Sequence, residues 1–467
     1  MARTSPKKLA RKIKIIRSDR WRLQATPGQL AILEETIQMY RGFVRALMGV
    51  IFVHWPEIAP AESRCAAVEK LIHQTAQNPN PRYAYFRQCY FKFPSYLRRA
   101  AIEAALGQVS SFVTRYSRWQ SGLRSRRDAL PPAFQADTNL NPPLYIGQCY
   151  KFGLTTNAAP AVHLKVFANG DWVWMEVPVE IRGTRHFIPG VKQLSPTLLF
   201  RKGKAFLNFP YEFVPVPRAA DKLVASVDIG MNKLATVSII APDGTVIART
   251  FIHPGKDIDR RDKLASAIRE KAGLTGKLSK GFCHKLYRKA ANRNIHIAHW
   301  TSRQIIQFAL AHGCAVIVFE YLKGWRPKGG KKRSPLKVRF HNWCHRKLVK
   351  YTEEKWNERG GKVSFVYARG TSHFAYDGSG AVKRGSKNYS LATFKTGKRY
   401  NADLSASYNI GARYWLNKLP PTGKGNHCQS GSGRSSRPEP RIPAVLSALW
   451  PSQGLERDAP PTAAPAA

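Results

Sequence analysis

An aspartate inside an apolar run constrains the fold of this chain more than any other feature of the sequence. The stretch LVASVDIGMNKLATVSII, residues 223–240, is otherwise typical of a buried β-strand, yet it carries Asp228. Burying a lone carboxylate costs several kcal/mol unless a partner compensates its charge. Because alternate residues of a strand face opposite sides, Asp228 shares its side with Ser226 and Gly230. These small neighbours predict open space beside the carboxylate, as in a ligand site.

Two further acids occupy comparable positions. Glu320 ends the apolar run CAVIVFE, and Asp403 begins a helix in NADLSASYNIG. Carboxylates at strand ends and at a helix start form a set of hard oxygen ligands that suits Mg²⁺. A pair of such ions would orient water and stabilise the leaving oxygen in phosphodiester hydrolysis. The spacing alone leaves a second interpretation open, in which the three acids are unrelated and each pairs with a lysine or arginine.

The net charge indicates the partner. The 467 residues include 76 Lys and Arg against 29 Asp and Glu, a formal charge of +47. A positive excess that runs through the whole chain is typical of a protein that binds nucleic acid.

The seven cysteines include no C-x-x-C pair, which argues against a disulfide framework and predicts a reducing, cytoplasmic compartment. The longest apolar stretch, FVRALMGVIFV, carries Arg45 and predicts a core helix rather than a membrane span.

Hydrophobic periodicity predicts helices enclosed by strands in the first half of the chain. One or two basic strands at residues 10–25 precede a helix, for which Thr26 is the cap and Pro27 lies in the first turn. Residues 135–215 alternate between apolar and polar side chains and are predicted to be mostly β. Asn169-Gly170 supplies a tight hairpin turn in that region.

The second half is predicted to alternate between strands and helices. Its expected strands are 223–230, a strand after the Asp243-Gly244 turn, CAVIVFE and KVSFVYA. Its expected helices lie at about 257–312, at about 340–359 and from near Ala402. The tail from Pro420 is rich in Pro, Gly, Ser and Ala and is predicted to be disordered.

The three acidic motifs resemble those of a known nuclease family. VDIGMNKLATVS, VIVFEYLKG and NADLSASYNIG are similar to the three motifs of the RuvC-like nuclease in TnpB proteins and miniature type V CRISPR effectors. The resemblance is specific over roughly residues 222–415. It extends more weakly upstream, where these families insert a helical recognition lobe in a wedge-type β-barrel. It implies that Asp228, Glu320 and Asp403 are the catalytic residues and the metal ligands, with a pair of Mg²⁺ ions as the cofactor.

The fold class that this resemblance implies is an α/β RuvC (RNase H-like) nuclease domain plus a wedge-type β-barrel with an inserted helical recognition lobe. The predicted segments are the first barrel strands at 1–25, the helical lobe at 26–134, the rest of the barrel at 135–217, the nuclease domain at 218–417 and a disordered tail at 418–467.

The sequence departs from the family pattern at one place. Family members carry a four-cysteine zinc ribbon between the second and third motifs, whereas the corresponding stretch, about 369–400, contains no cysteine. No structural zinc is therefore expected. Tyr376, Lys383, Arg384 and Lys387 in this stretch are predicted to hold single-stranded DNA near the acidic site.

Several basic segments predict contacts with nucleic acid. KGWRPKGGKKRSPLKVR, residues 323–339, directly follows the second acidic motif and contains no acid, which favours a phosphate-contacting loop. Residues 82–99 interleave aromatic and basic side chains, a pattern that fits base stacking and a helical core equally well. The predicted nucleic-acid-binding residues are Lys323, Arg326, Lys328, Lys331, Lys332, Arg333, Lys337, Arg339, Arg98, Arg99, Lys383 and Arg384.

A histidine pair suggests a different metal site. FHNWCHRK places His341 and His345 four residues apart, with Cys344 between them. On a helix the two imidazoles would share a face, but one cysteine and no nearby acid make an incomplete ligand set. A helix that contacts nucleic acid is the favoured interpretation.

The sequence predicts an RNA-guided DNA endonuclease. It would cut target DNA by metal-dependent hydrolysis at one RuvC-like site, after recognition of a short flanking motif and guide pairing. The expected partners are a guide RNA and double-stranded target DNA, and no contact with a membrane is expected. The protein is predicted to act in a prokaryotic cytoplasm. Two alternatives stay open: a non-cleaving RNA-guided DNA-binding protein, and a guide-independent nuclease or transposase, although the usual transposase order is Asp, Asp, Glu. The source of the guide, a CRISPR array in antiviral defence or a transposon, is also left open.

Overall fold

The computed structural model describes residues 14–123, 130–135, 140–155, 157–181, 191–219, 222–231, 233–276, 278–322, 343–385, 388–417 and 444–450. The chain forms two compact units, Met1–Val214 and Pro215–Ala467. Within the described ranges, none of the helices combines the length and the apolar content that a membrane span requires.

The first unit is built on a seven-stranded sheet. Its strands are β1 (Ile15–Leu23), β2 (Tyr150–Leu154), β3 (Pro160–Ala168), β4 (Asp171–Glu180), β5 (Lys192–Gln193), β6 (Thr197–Arg201) and β7 (Lys204–Phe213). The pairing order is β2-β3-β4-β1-β7-β5, with β6 also paired to β7. Asn169 and Gly170 have φ of 51° and 82°, so the predicted tight turn between β3 and β4 is confirmed.

The helices of the first unit lie between β1 and β2 in the chain. They are α1 (Pro27–Val53), α2 (Trp55–Ile58), α3 (Arg64–Ile72), α4 (Tyr85–Cys89) and α5 (Ser95–Gln120). The helix start predicted at Thr26 is confirmed, because its hydroxyl accepts from the Gln29 N–H at 3.3 Å and its own N–H donates to Gln29 Oε1 at 3.0 Å. This reciprocal capping box satisfies two amides that the helix leaves unpaired. Leu33, Ile37 and Val44 of α1 pack in one core with the sheet.

The second unit contains a five-stranded sheet of order β10-β9-β8-β11-β12. Its strands are β8 (Val224–Asp228), β9 (Ala235–Ile240), β10 (Val246–Ile252), β11 (Val316–Glu320) and β12 (Lys362–Val366). Its helices are α6 (Gly255–Thr275), α7 (His284–Ala311), α8 (His345–Asn357) and α9 (Ala402–Leu416). Strands β8, β11 and β12 run parallel, whereas β9 and β10 pair antiparallel.

The central strands of this sheet are buried on both faces. Ala225 and Val227 belong to a core that includes Ile297 of α7 and Leu348 of α8. Val224 lies in the core on the other face with residues of α9. Parallel strands covered on both sides need apolar residues at every position, which explains the continuous apolar runs around Asp228 and Glu320.

The cysteine-free stretch and the tail contribute three short strands and a 3₁₀ turn. The strands β13 (Lys383–Arg384), β14 (Leu391–Thr393) and β15 (Arg399–Asn401) form an antiparallel sheet, and the 3₁₀ turn spans Leu446–Leu449. We refer to residues 369–401 as the ribbon segment and to residues 444–450 as the C-terminal strap.

The prediction that residues 418–467 are disordered is wrong for the C-terminal strap. Leu446 is completely buried, and its N–H donates to Asn409 Oδ1 at 3.2 Å. The Ser447 N–H donates to the Tyr376 carbonyl at 2.9 Å. The prediction used the average composition of the tail, which does not reveal the short apolar sequence AVLSALW. This sequence packs against α9. The other residues of the tail lie outside the described ranges.

Candidate active site

Asp228 and Glu320 end two neighbouring parallel strands. The register pairs Val227 of β8 with Phe319 of β11, so the two acids follow at the same edge of the sheet. Carboxyl ends of parallel strands form the edge at which α/β proteins commonly build their sites. Both residues are partly exposed, unlike the fully buried residues that precede them. The predicted strands therefore bring these two acids together.

Asp403 reaches the same site from the first turn of α9. Asn401 caps this helix, because its Oδ1 accepts from the N–H groups of Asp403 and Leu404 at 3.0 Å each. Further along the helix, Trp415 donates through Nε1 to the Ile240 carbonyl at 3.1 Å. These contacts fix α9 across the sheet and place its N-terminal turn beside the strand ends.

The space beside β8 differs from the prediction. Ser226 was expected to leave open space, but it is fully buried and its hydroxyl donates to the Ser238 carbonyl at 3.0 Å. A Cβ built on Gly411 would stand 2.5 Å from Ile240 Cδ1 and 3.2 Å from Ser226 Oγ. Gly411 therefore allows α9 to pack directly on this face, while Asp228 at the strand end is less completely buried than Ser226.

The three carboxylates share one electrostatic environment. The pKa of Asp228 is raised well above its usual value, first by burial and then by the charges of Glu320 and Asp403. Burial also raises the pKa of Glu320 and the pKa of Asp403. Acids whose pKa is shifted in this way cluster at functional sites, because holding repelling charges together destabilises the fold and persists where function requires it.

Cations and one hydroxyl partly offset this negative charge. Arg384 lowers the pKa of Asp228 and that of Asp403, and Lys233 also lowers the pKa of Asp403. The Thr371 hydroxyl hydrogen-bonds Glu320 and lowers its pKa, as does the charge of Arg413. Of these groups, only Arg384 was predicted to lie at the site. The first motif gave a signal for Lys233, which follows Asp228 by five residues, whereas Thr371 and Arg413 lie outside all three motifs.

The carboxylates of Asp228, Glu320 and Asp403 suit a hard divalent cation, because Mg²⁺ prefers carboxylate oxygens as ligands. A bound cation would also compensate the negative charge of the Asp228 carboxylate. In the part of the chain that the structure describes, no three His, Cys, Asp or Glu side chains stand in an arrangement ready to hold a metal ion.

The ribbon segment packs through aromatic side chains. Tyr376 is buried, with ring centroids 5.6 Å from Phe394, 5.1 Å from Tyr400 and 5.3 Å from Tyr408. Arg249 donates to the hydroxyls of Tyr400 and Tyr408 at 3.1 and 3.2 Å. The prediction that Tyr376 holds DNA is therefore wrong, since its ring has no exposed face. Lys383 and Arg384 are exposed on β13, whereas Lys387 lies outside the described residues.

The predicted cations of α5 are engaged within the first unit. Arg98 and Arg99 both lie close to Glu69, at 3.5 and 3.6 Å, and the side chain of Arg98 is only 14% exposed. The aromatic segment 82–99 contributes to the helical core in part, and base stacking by its other rings stays a prediction. Phe86 and Phe93 are buried in the core, while Tyr85, Phe91 and Tyr96 are exposed.

Of the remaining predicted residues, His345 and Cys344 lie in the described ranges, and the others lie outside them. His345 begins α8, its ring packs 4.3 Å from Trp343, and burial lowers its pKa. Cys344 is buried beside it, so the exposed face of α8 carries Arg346 and Lys347 instead. The following predicted residues lie outside the described ranges: Lys323, Arg326, Lys328, Lys331, Lys332, Arg333, Lys337, Arg339 and His341.

The fold is similar to that of solved CRISPR effectors. The structure of the mini-RNA-guided endonuclease CRISPR-Cas_phi3 matches with a TM-score of 0.56 at 12% identity, over 88% of this chain and 94% of that one. CasPhi-2 (Cas12j) bound to crRNA gives a TM-score of 0.46 at 12% identity, over 86% and 98% of the two chains. Cas12f1 in a complex with sgRNA and target DNA gives 0.45 at 12% identity, over 74% of each chain. The match to CRISPR-Cas_phi3 confirms, for the fold alone, the resemblance predicted from the sequence.

The comparison by sequence matches a smaller part of the chain than the comparisons by structure do. Residues 17–168, in the first unit, match the Aq_aa04 family. No curated protein matches the sequence.

Proposed function

We propose that this chain is an RNA-guided DNA endonuclease that hydrolyses phosphodiester bonds at a RuvC-like site. The observation that carries the proposal is the placement of Asp228, Glu320 and Asp403 at one sheet edge, where burial and then the charges of the other two acids raise the pKa of Asp228. Three acids that repel one another at the accessible edge of a buried sheet destabilise the fold, and metal-dependent hydrolysis explains their presence.

Asp228, Glu320 and Asp403 are the residues that would hold Mg²⁺. When bound, the divalent metal supplies Lewis-acid activation of water and stabilises the leaving oxygen. Thr371 orients the Glu320 carboxylate through its hydrogen bond. Arg384 and Lys233 add positive charge beside the acids, where the phosphodiester of a substrate strand carries negative charge.

The partners we propose are a guide RNA and double-stranded target DNA. The net charge of +47 suits the binding of both polyanions. In this proposal the first unit supplies a wedge-type β-barrel with an inserted helical recognition lobe and reads a short flanking motif. Guide pairing supplies the sequence specificity, and one site cuts both strands in turn. The protein would act in a prokaryotic cytoplasm.

Single substitutions test the proposed nuclease. Asp228→Asn, Glu320→Gln and Asp403→Asn should each lower Mg²⁺-dependent cleavage of a matched target more than about 100-fold, a loss larger than that seen for outer-shell residues of metal sites. Binding to RNA and DNA should persist, since the Lys and Arg surface carries it. Glu270→Gln, at an exposed acid on α6, is the matched control. Full cleavage by Asp228→Asn would reject the acidic site.

The RNA that co-purifies with the protein tests guidance. Sequencing should find one discrete species, either repeat-bearing, as from a CRISPR array, or derived from a transposon end. If only random cellular RNA is found, RNA guidance is rejected and the protein is a guide-independent nuclease. A discrete RNA that directs binding to a matched duplex without cleavage by the unmodified protein would leave a non-cleaving RNA-guided DNA-binding protein.

A further inference from the structure

Helices α6 and α7 of the second unit border an open groove of about 740 Å³. Asp257 of α6 accepts from Arg293 of α7 at 2.8 Å and lies 3.5 Å from His296, which ties the two helices together along one side of the groove. None of these residues belongs to the acidic site. The groove is therefore a separate feature of the unit, with walls fixed by ion pairs.

The groove carries positive charge that the protein does not neutralise. Arg260, Lys263 and Lys289 line it and are exposed. In the described part of the chain, no carboxylate lies within ion-pair distance of these three side chains. Residues three or four apart on a helix are neighbours, so Arg260 and Lys263 stand on one face of α6. Like charges held together without a counter-charge favour an anionic ligand.

We propose that the α6–α7 groove binds the sugar-phosphate backbone of a nucleic-acid duplex. Its lining combines cationic side chains with Leu264, Asn292 and His296, and it includes no Phe, Tyr or Trp from the described residues. Single-strand sites rely on aromatic stacking, whereas duplex backbones are held by cations and amides. The seven helical steps from Lys289 to His296 span about 10 Å, which matches roughly three base-pair steps. The proposal rests on the proposed function for the identity of the duplex.

Salt dependence of binding tests the groove. The variant Arg260→Glu/Lys263→Glu/Lys289→Glu is compared with Arg269→Glu/Lys280→Glu/Arg288→Glu, which makes the same charge change at exposed residues of the same helices and their connection. The probes are a DNA duplex of about 20 base pairs, an RNA–DNA hybrid of the same sequence and its single strands. Binding is measured in EDTA, so that a failure of the nuclease proposal does not affect the readout. Thermal unfolding confirms that both variants fold.

The groove variant should lower the slope of log K against log salt by about 2 to 3 on a duplex, at roughly 0.9 per lost phosphate contact, and the control by less than about 1. A larger loss on the hybrid would assign the groove to a guide–target duplex, and a larger loss on DNA would assign it to a DNA duplex. Equal slopes for the two variants, or a loss confined to single strands, would overturn the proposal.

Discussion

The hydroxyl of Thr371 donates a hydrogen bond to the carboxylate of Glu320. The Thr371 carbonyl accepts from Asn409 Nδ2 at 2.9 Å, and Asn409 Oδ1 accepts from the Leu446 N–H at 3.2 Å. A continuous chain of hydrogen bonds therefore joins the C-terminal strap to the acidic site through α9. The hydrogen bonding of Glu320 therefore involves Asn409 of the third motif and also Thr371 and Leu446, which lie outside all three motifs.

Removing the Thr371 hydroxyl should weaken the metal site. Thr371→Val keeps the side-chain shape but leaves the Glu320 carboxylate without this donor, so the concentration of Mg²⁺ needed for half-maximal cleavage should rise about 10–100-fold. Thr371→Ser retains a hydroxyl and should stay near the unmodified protein. A Mg²⁺ titration of cleavage by both variants is the measurement. Equal requirements for Mg²⁺ in the valine and serine variants would show that Thr371 does not orient Glu320.

The C-terminal strap should contribute to the stability of the second unit. Leu446 is completely buried in the core that contains Tyr376 and Tyr408, so Leu446→Ala should lower the free energy of unfolding by about 2–5 kcal/mol. The exposed neighbour Ala448 provides a control as Ala448→Ser. Hydrogen exchange should quicken in the ribbon segment, because the Ser447 N–H is bonded to the Tyr376 carbonyl. An unchanged free energy of unfolding would mean that the strap is dispensable.

The ribbon segment should owe its stability to aromatic packing rather than to zinc. Tyr376→Ala removes a buried ring that contacts three other aromatic rings, and it should cost about 3–5 kcal/mol. A zinc chelator should leave the melting temperature of the unmodified protein unchanged. Tyr389→Ala, at an exposed ring of the same segment, is the control. A fall in melting temperature with the chelator, reversed by added zinc, would refute this prediction.

The acidic motifs could be located from the sequence because their chemistry and their local structure agree. A carboxylate at the end of an apolar run is rare, and such runs predict buried strands, so Asp228 and Glu320 fall on neighbouring strand ends. The cap and the turns at Thr26 and Asn169-Gly170 were equally predictable, since each depends on residues adjacent in sequence.

Contacts between distant segments could not be predicted in the same way. The burial of Ser226 depends on α9, which lies in a segment almost two hundred residues away in the chain, and no local pattern predicts that packing. Leu446 lies in a tail whose composition favours disorder, and its burial depends on distant partners such as Asn409, Tyr376 and Tyr408. The burial of Tyr376 was also missed, because its partners are Phe394 directly after β14, Tyr400 of β15 and Tyr408 of α9, all distant in sequence.

The buried imidazole of His345 should make the stability of the protein sensitive to acid. Among the described residues, neither ring nitrogen has a hydrogen-bond partner, and burial lowers the pKa of the ring. In the unfolded chain His345 takes up a proton near its ordinary pKa of about 6.5, whereas the folded protein resists protonation until the pH falls further. Its contribution to stability is therefore complete above pH ~6.5 and is lost as the pH falls toward the lowered pKa.

His345→Leu should abolish this part of the pH dependence. Below pH ~6.5 the unmodified protein should lose up to about 1.4 kcal/mol of unfolding free energy per pH unit more than the variant. Urea unfolding at pH values from about 7 to 5 measures the difference, and His284→Leu at an exposed histidine should follow the unmodified protein. Parallel stability curves for the unmodified protein and His345→Leu would show that the buried ring takes up its proton as readily as an exposed one.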